Sequence, residues 1–112
     1  NLYILCAGGA MEGVFAFIPG EDPTYRYIED GSWHWNRPYG TIHRLASRGT
    51  ARGVAKACFD FCREKIPYLR IDTHADNHPM QSAVLHYGFR KCGTIYLTDG
   101  SPRIAFDYMQ GK

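Results

Sequence analysis

Arg48-Gly49-Thr50-Ala51-Arg52-Gly53-Val54-Ala55 lies between two strand-like runs, and a helical pattern begins inside it. Glycine at a strand-to-helix turn lets backbone N–H groups come close to an anion, and the helix N-terminus adds partial positive charge there. Arg48 and Arg52 bring full charges to the same place. Such a stretch can hold a pyrophosphate, which makes a nucleotide-like cofactor site the first expectation. A plain tight turn is the structural alternative.

Other residues with chemistry in them are weaker pointers. His74, Asp76 and His78 have the spacing of metal ligands. The segment already explains itself as a strand end and a helix cap, so no metal site is expected there. The chain has four cysteines, Cys6, Cys58, Cys62 and Cys92. Cys58 and Cys62 stand four apart on an expected helix, but two further zinc ligands at suitable spacing are not evident. Buried reduced thiols are the reading, which favours a reducing, cytoplasmic compartment. Trp33 and Trp35 either line a pocket or pack a loop onto the protein. Glu21, Asp22, Glu29 and Asp30 form an acidic group that attracts a cationic amine or is simply solvated.

These residues need a scaffold. At 112 residues the chain is expected to be one domain with a real core. A formal net charge of +2 and no dense Lys/Arg patch argue against nucleic acid as a partner. The longest apolar runs are strand length, so no membrane partner is expected. No signal peptide is visible at Asn1-Leu2-Tyr3, and without an initiating Met the chain is expected to begin inside a longer protein.

Leu2 to Cys6 and Glu12 to Ile18 read as an antiparallel hairpin around Gly8-Gly9, ended by Pro19-Gly20. Tyr25 to Ile28 is expected as a short strand. Glu29 to Pro38 is expected as an ordered loop, and Tyr39 to Ala46 as the next strand. Residues 52–65 make the clearest helix, with Val54, Cys58, Phe61 and Cys62 as one apolar stripe. Pro67 stops it, and Leu69 to Thr73 is a strand. Asn77 or His78 caps a second helix with Pro79 in its first turn. Met80, Ala83, Val84 and Tyr87 share a face, and Gly88 ends it. Cys92 to Leu97 and Arg103 to Tyr108 flank the turn at residues 98–102. The fold class is α+β, a mixed and mostly antiparallel sheet with a central β-α-β unit and hairpins at its flanks.

Val54-Ala55 after Gly53 excludes a Walker A loop, and a single β-α-β unit argues against a dinucleotide-binding domain despite Asp72 near the strand end. The order of elements and the loop resemble the GNAT superfamily of acyl-CoA-dependent N-acetyltransferases. That family's loop reads Arg/Gln-x-x-Gly-x-Gly/Ala, matched here by Thr50-Ala51-Arg52-Gly53-Val54-Ala55. Thr50 stands at the usual Arg/Gln position, and Arg48 is the side chain that can replace it. Asn77 before the second helix and Gly88-Phe89 after it match the family's downstream pattern. The phrases at residues 39–47, 70–74 and 95–97 look like an uncharacterised bacterial branch. The resemblance covers nearly the whole chain except the family's first strand and two helices, so a GNAT-like domain over 1–112 with N-terminal elements absent is expected.

The resemblance implies a fold whose two central strands splay past a bulge, with the pantetheine arm of acetyl-CoA filling the gap like a short strand. Leu45 and Ser47 would offer backbone groups to it. Arg48 and the N–H groups of Arg52, Gly53, Val54, Ala55 and Lys56 would hold the pyrophosphate, and Asn77 would approach the pantetheine end. The reaction implied is direct attack by an amine on the acetyl thioester, with a backbone N–H near Leu45 as oxyanion donor. Strand alternation puts Tyr39, Thr41, His43 and Leu45 on one face, which by resemblance faces the acceptor. His43 is the expected base, against the alternative of a hydrogen-bonded, half-buried histidine. Val84 stands where many members place the tyrosine general acid, and Tyr87 is offset from it. The acceptor is a small-molecule or peptide amine. A homodimer through sheet edges is the family's habit. A non-catalytic acyl-CoA-binding or sensor module is the second reading, and a nucleotide-binding or protein-interaction domain the third.

Overall fold

A computed structural model describes residues 2–7, 10–47 and 51–111, and side chains within 13–43 and 55–111. In chain order the elements are β1 (Leu2–Ala7), β2 (Ala10–Pro19), a 3-10 turn (Pro23–Tyr25), β3 (Gly40–Ser47), α1 (Ala51–Lys65), β4 (Tyr68–Thr73), α2 (His78–Tyr87), β5 (Arg90–Tyr96) and β6 (Pro102–Met109). The strands form one six-stranded sheet in the order β1-β2-β3-β4-β6-β5. β3 and β4 run parallel, joined through α1, and the other neighbours are antiparallel. The mixed sheet with a central β-α-β unit is therefore the one the sequence implies.

Local chemistry explains the boundaries of α2. Asn77 Oδ1 accepts the N–H of Met80 at 3.2 Å, satisfying one of the donors that a helix start leaves orphaned. Gly88 sits at φ +120°, and its N–H and that of Phe89 close onto Val84 O. A side chain at Gly88 would be strained there. In α1 the apolar stripe is shifted from the expected one. Ala55, Cys58, Phe59 and Cys62 are buried, whereas Phe61 is 36 % exposed. Phe61 instead packs edge-on to Phe15 and under the Lys65 ammonium.

Both helices cover one face of the sheet. Ala55, Cys58, Phe59 and Cys62 from α1 and Met80, Ala83 and Val84 from α2 meet Phe15, Phe17, Ile42, Leu69, Ile71 and Phe106 from the strands. The opposite face is covered by the segment between β2 and β3. There Tyr25, Tyr39, Tyr68, Cys92, Ile95, Ala105 and Met109 form a second core, with Trp33 and Trp35 packed against it. β4 is thus covered on both sides and reads as nearly continuous burial.

The covering segment corrects one expectation. Tyr25 to Ile28 is not a strand. Asp22 Oδ1 accepts the Thr24 N–H at 2.9 Å, Pro23 presets the backbone, and the chain turns through Pro23–Tyr25 instead. Pairing comes only at Glu29, which bridges Thr94 through two 2.8 Å bonds. Just beyond, Gly31 has φ +155°, and a Cβ there would lie 1.8 Å from Cys92 O. Only glycine lets the loop come so close to β5. Among the described residues no helix is long and apolar enough to cross a membrane.

Candidate active site

The parallel pair at the centre is incomplete. Gly40, Thr41 and Ile42 pair with Leu69, Arg70 and Ile71, and the ladder stops there. β3 continues to Ser47 and β4 to Thr73 without pairing to each other. On its other side β3 stays bonded to β2, but the register slips: Ala46 faces Val14 and Arg44 faces Phe15, which leaves Leu45 as the extra residue of a bulge. A bulge bends and twists its strand, which turns β3 away from β4. The result is a gap bordered by unpaired backbone groups, a feature that folded proteins retain when something fills it.

Expected cofactor-binding residues cluster around that gap. Leu45 and Ser47 lie in the unpaired part of β3. α1 begins at Ala51, so Arg52 and Gly53 are in its first turn, where N–H groups lack intrahelical acceptors. Val54, Ala55 and Lys56 follow in the same helix. Ala55 points into the core, and the exposed Lys56 ammonium donates to Asp60 at 2.8 Å. Asn77 follows β4 and so lies at the same end of the sheet as Ser47, because the two strands are parallel. Arg48 lies outside the described residues, as do the side chains of Leu45, Ser47, Arg52, Gly53 and Val54.

His43 sits on the face of β3 away from the helices, with Tyr39 and Thr41, while Ile42 points to the helices. Its side chain is 40 % exposed, and Nε2 lies 3.8 Å from Asp22 Oδ2. The other carboxylate oxygen of Asp22 is held by the Thr24 N–H and hydroxyl, so the free oxygen is the one near histidine. Tyr25, one of several site residues that the sequence did not single out, donates to Asp72 Oδ1 at 2.6 Å. Burial, with Asp72 beside it, pushes the Tyr25 phenol well above its usual range, so it acts as a donor and not a base.

Arg70 was equally hidden. It is 6 % exposed on the same face as His43. Its guanidinium stacks 4.1 Å from the Trp33 ring and 4.0 Å from the Tyr39 ring. Nε donates to the Tyr68 hydroxyl at 3.1 Å and one terminal nitrogen to Trp35 O at 3.1 Å. A charged residue between Leu69 and Ile71 was the available signal. Trp33 and Trp35 thus pack the loop onto the sheet, and Trp33 also donates to Tyr25 O at 2.9 Å.

Two polar clusters bear on metal binding. His74 Nδ1 accepts the Asp76 N–H at 3.0 Å, and His78 heads α2, which is the strand-end and cap arrangement. Elsewhere His34, Cys92 and Asp107 bring their donor atoms within 4.8 Å of one another. Asp107 is fully buried and accepts from the His34 N–H at 2.9 Å and the Tyr68 hydroxyl at 2.8 Å, while its other oxygen meets His34 Nδ1 at 2.7 Å. Burial, with the Asp107 charge, pushes the Cys92 thiol far up, so it stays protonated. The cluster is a hydrogen-bonded staple between the loop and β5 and β6. Cys58, Cys62 and Cys92 are buried and form no disulfide among the described residues.

Val84 is wholly buried between the helices and the sheet. The Tyr87 hydroxyl donates to Asp60 Oδ1 at 2.6 Å, and its ring packs against Phe59, Phe89 and Tyr108. Tyr87 is a core-edge residue linking the two helices.

No protein-family model matches this sequence, and no curated protein matches it. Among solved structures, a GNAT family acetyltransferase from Streptococcus agalactiae is similar, with a TM-score of 0.85 and 32 % identity. The similarity covers 97 % of this chain and 65 % of that one. On that likeness this chain has a GNAT N-acetyltransferase-like fold.

Proposed function

We propose that this domain moves an acetyl group from acetyl-CoA to a primary amine on a small molecule or peptide. What carries the reading is the parting of β3 and β4 after Ile42 and Ile71, with the Leu45 bulge beside it and the start of α1 beyond. The amide-rich pantetheine arm fits that gap, bonding the backbone of Leu45 and Ser47. Arg48 and the first-turn N–H groups of Arg52 and Gly53 receive the diphosphate, whereas those of Val54, Ala55 and Lys56 are spent on carbonyls within the helix, and Asn77 meets the arm near the sulfur end. Acetyl-CoA supplies the activated acyl group as a thioester.

The chain's own residues do the rest. His43 takes the proton from the amine, directly or through water, and Asp22 at 3.8 Å steadies the imidazolium that forms. A backbone N–H near Leu45 donates to the carbonyl oxygen as charge builds on it. With Val84 sealed in the core and the Tyr87 hydroxyl bound to Asp60, water returns the proton to the sulfur. The buried thiols, outside any disulfide among the described residues, fit a reducing, cytoplasmic setting.

Calorimetric titration with acetyl-CoA and a transfer assay over a panel of amines test this. His43→Ala is expected to lower kcat/KM by about 10²–10⁴-fold, with acetyl-CoA affinity unchanged. Wild-type activity in the variant across pH removes His43 from the mechanism. A second reading, a non-catalytic acyl-CoA module, draws on the buried Val84 at the general-acid position. Tight binding with no transfer to any amine selects it.

A further inference from the structure

On the same face of the sheet as His43 lies a pocket of about 280 Å³ whose walls include Tyr25, Asn36, Arg37, Tyr39 and Arg70. That volume suits a short chain of heavy atoms and not a macromolecular segment. Its charge is one-sided. Arg26 and Glu21 also border it, but they pair with each other at 3.0 Å. Among the described residues no carboxylate lies within ion-pair distance of Arg37 or Arg70.

Arg70 is built as a receptor. Its two ring contacts and its bonds to Tyr68 and Trp35 fix the plane of the guanidinium. The second terminal nitrogen makes no hydrogen bond among the described residues and is not among the sealed, orphaned polar atoms. A pre-oriented guanidinium with a free edge matches a carboxylate in geometry as well as charge. Arg37 and the amide of Asn36 sit exposed on the same pocket wall and complete a donor set.

The other sign stands outside the pocket's lining, behind Tyr39. Tyr39 belongs to the pocket wall, and its hydroxyl accepts the backbone N–H of Asp22 at 2.8 Å. Asp22 in turn faces His43. Between them on β3, Thr41 is 1 % exposed, and its hydroxyl has no hydrogen-bond partner among the described residues. Arg70 is in register with Thr41, two residues from His43. By the rise of a strand the arginine end lies roughly 7–13 Å from the histidine.

We infer that this pocket binds a carboxylate on the acceptor, so that the acetylated amine belongs to an amino-acid-like molecule whose anionic group sits on Arg37 and Arg70 while its amine reaches His43. The inference rests on the acetyltransferase reading for which end of the ligand reacts. The pocket's affinity for a carboxylate is measurable without acetyl-CoA.

Binding of lysine, of 1,5-diaminopentane, of glutarate and of inorganic phosphate to the chain is measured by NMR titration, with no acetyl-CoA present. Lysine and glutarate are expected to bind at least about tenfold tighter than 1,5-diaminopentane, the scale of one charge-assisted contact. Arg37→Gln, an exposed substitution, is expected to abolish that preference while leaving the unfolding midpoint and acetyl-CoA affinity unchanged. Equal binding of lysine and the diamine overturns the proposal, as does a preference that survives in Arg37→Gln. Phosphate binding tighter than either carboxylate and lost in the variant also overturns it, in favour of a phosphorylated ligand. Carboxylate binding without any acetyl-CoA binding sinks the acetyl-transfer reading and leaves the pocket standing.

Discussion

The two faces of the sheet are built on different physics. On the helix face, Phe15, Phe17, Phe59, Ile71, Val84 and Phe106 interlock, and volume decides what fits. On the loop face, tyrosines and tryptophans surround a buried arginine and a buried aspartate, and hydrogen bonds tie both to the covering segment. An irregular segment can cover a sheet only if its backbone polar groups find partners, and Asp107, Tyr68 and Arg70 supply them by bonding His34 N and Trp35 O. The helix face can therefore be apolar and mute, while the loop face must be polar, and the candidate acceptor pocket opens there. Volume governs one side of the sheet and polar pairing the other.

Substitutions can break that contrast. Phe59→Ala removes a fully buried ring from the helix face and is expected to destabilise by about 3–5 kcal/mol in urea unfolding. Phe59→Leu keeps most of the volume and should cost far less. Asp107→Asn keeps shape on the loop face but turns an acceptor of three bonds partly into a donor, at an expected cost of about 1–3 kcal/mol. Tryptophan fluorescence should change with it, because Trp33 and Trp35 flank His34 on the stapled segment. If Asp107→Asn were neutral while Phe59→Leu were severe, the division between a volume-limited and a bond-limited face would be wrong.

A smaller effect tests the seam between the helices. The Lys56 ammonium, and next the Tyr87 hydroxyl, bond the Asp60 carboxylate and hold it below its usual range. A lowered carboxyl adds stability that is present above the unfolded value, about pH 4, and is lost as pH falls through the folded one. Asp60 is partly exposed, which screens the contribution. Asp60→Asn should lower the urea midpoint slightly at pH 6, and the difference from the parent should vanish in stronger acid. A difference that persists at low pH would mean that packing of Tyr87, and not the carboxylate charge, links the helices.

How much could be read in advance follows the same division. α2 was legible because its signals are local: Asn77, Pro79 and Gly88 are separated by the length of the helix they bound. α1 was legible as a helix, but its stripe was misplaced towards Phe61, because both Phe59 and Phe61 fit an apolar pattern and only the position of the sheet selects Phe59. The strand expected at Tyr25 to Ile28 failed for the opposite reason. Its aromatic residues were there to cover a sheet, not to join one. The staple between His34 and Asp107 spans 73 positions, and nothing in either neighbourhood announces the other.

The amino-acid sequence by itself determined the succession of strands and helices outside the segment before β3, and the parallel crossing that makes a splayed pair of strands feasible. Those rest on local propensity, periodicity and capping, which act over a few residues. Only the tertiary structure decided where β3 and β4 part company, that Arg70 is caged between Trp33 and Tyr39, and that Asp22 stands beside His43. Each of those depends on residues distant in the chain being brought together by the sheet, and for the caged arginine the contacts gain strength because water has been excluded around it.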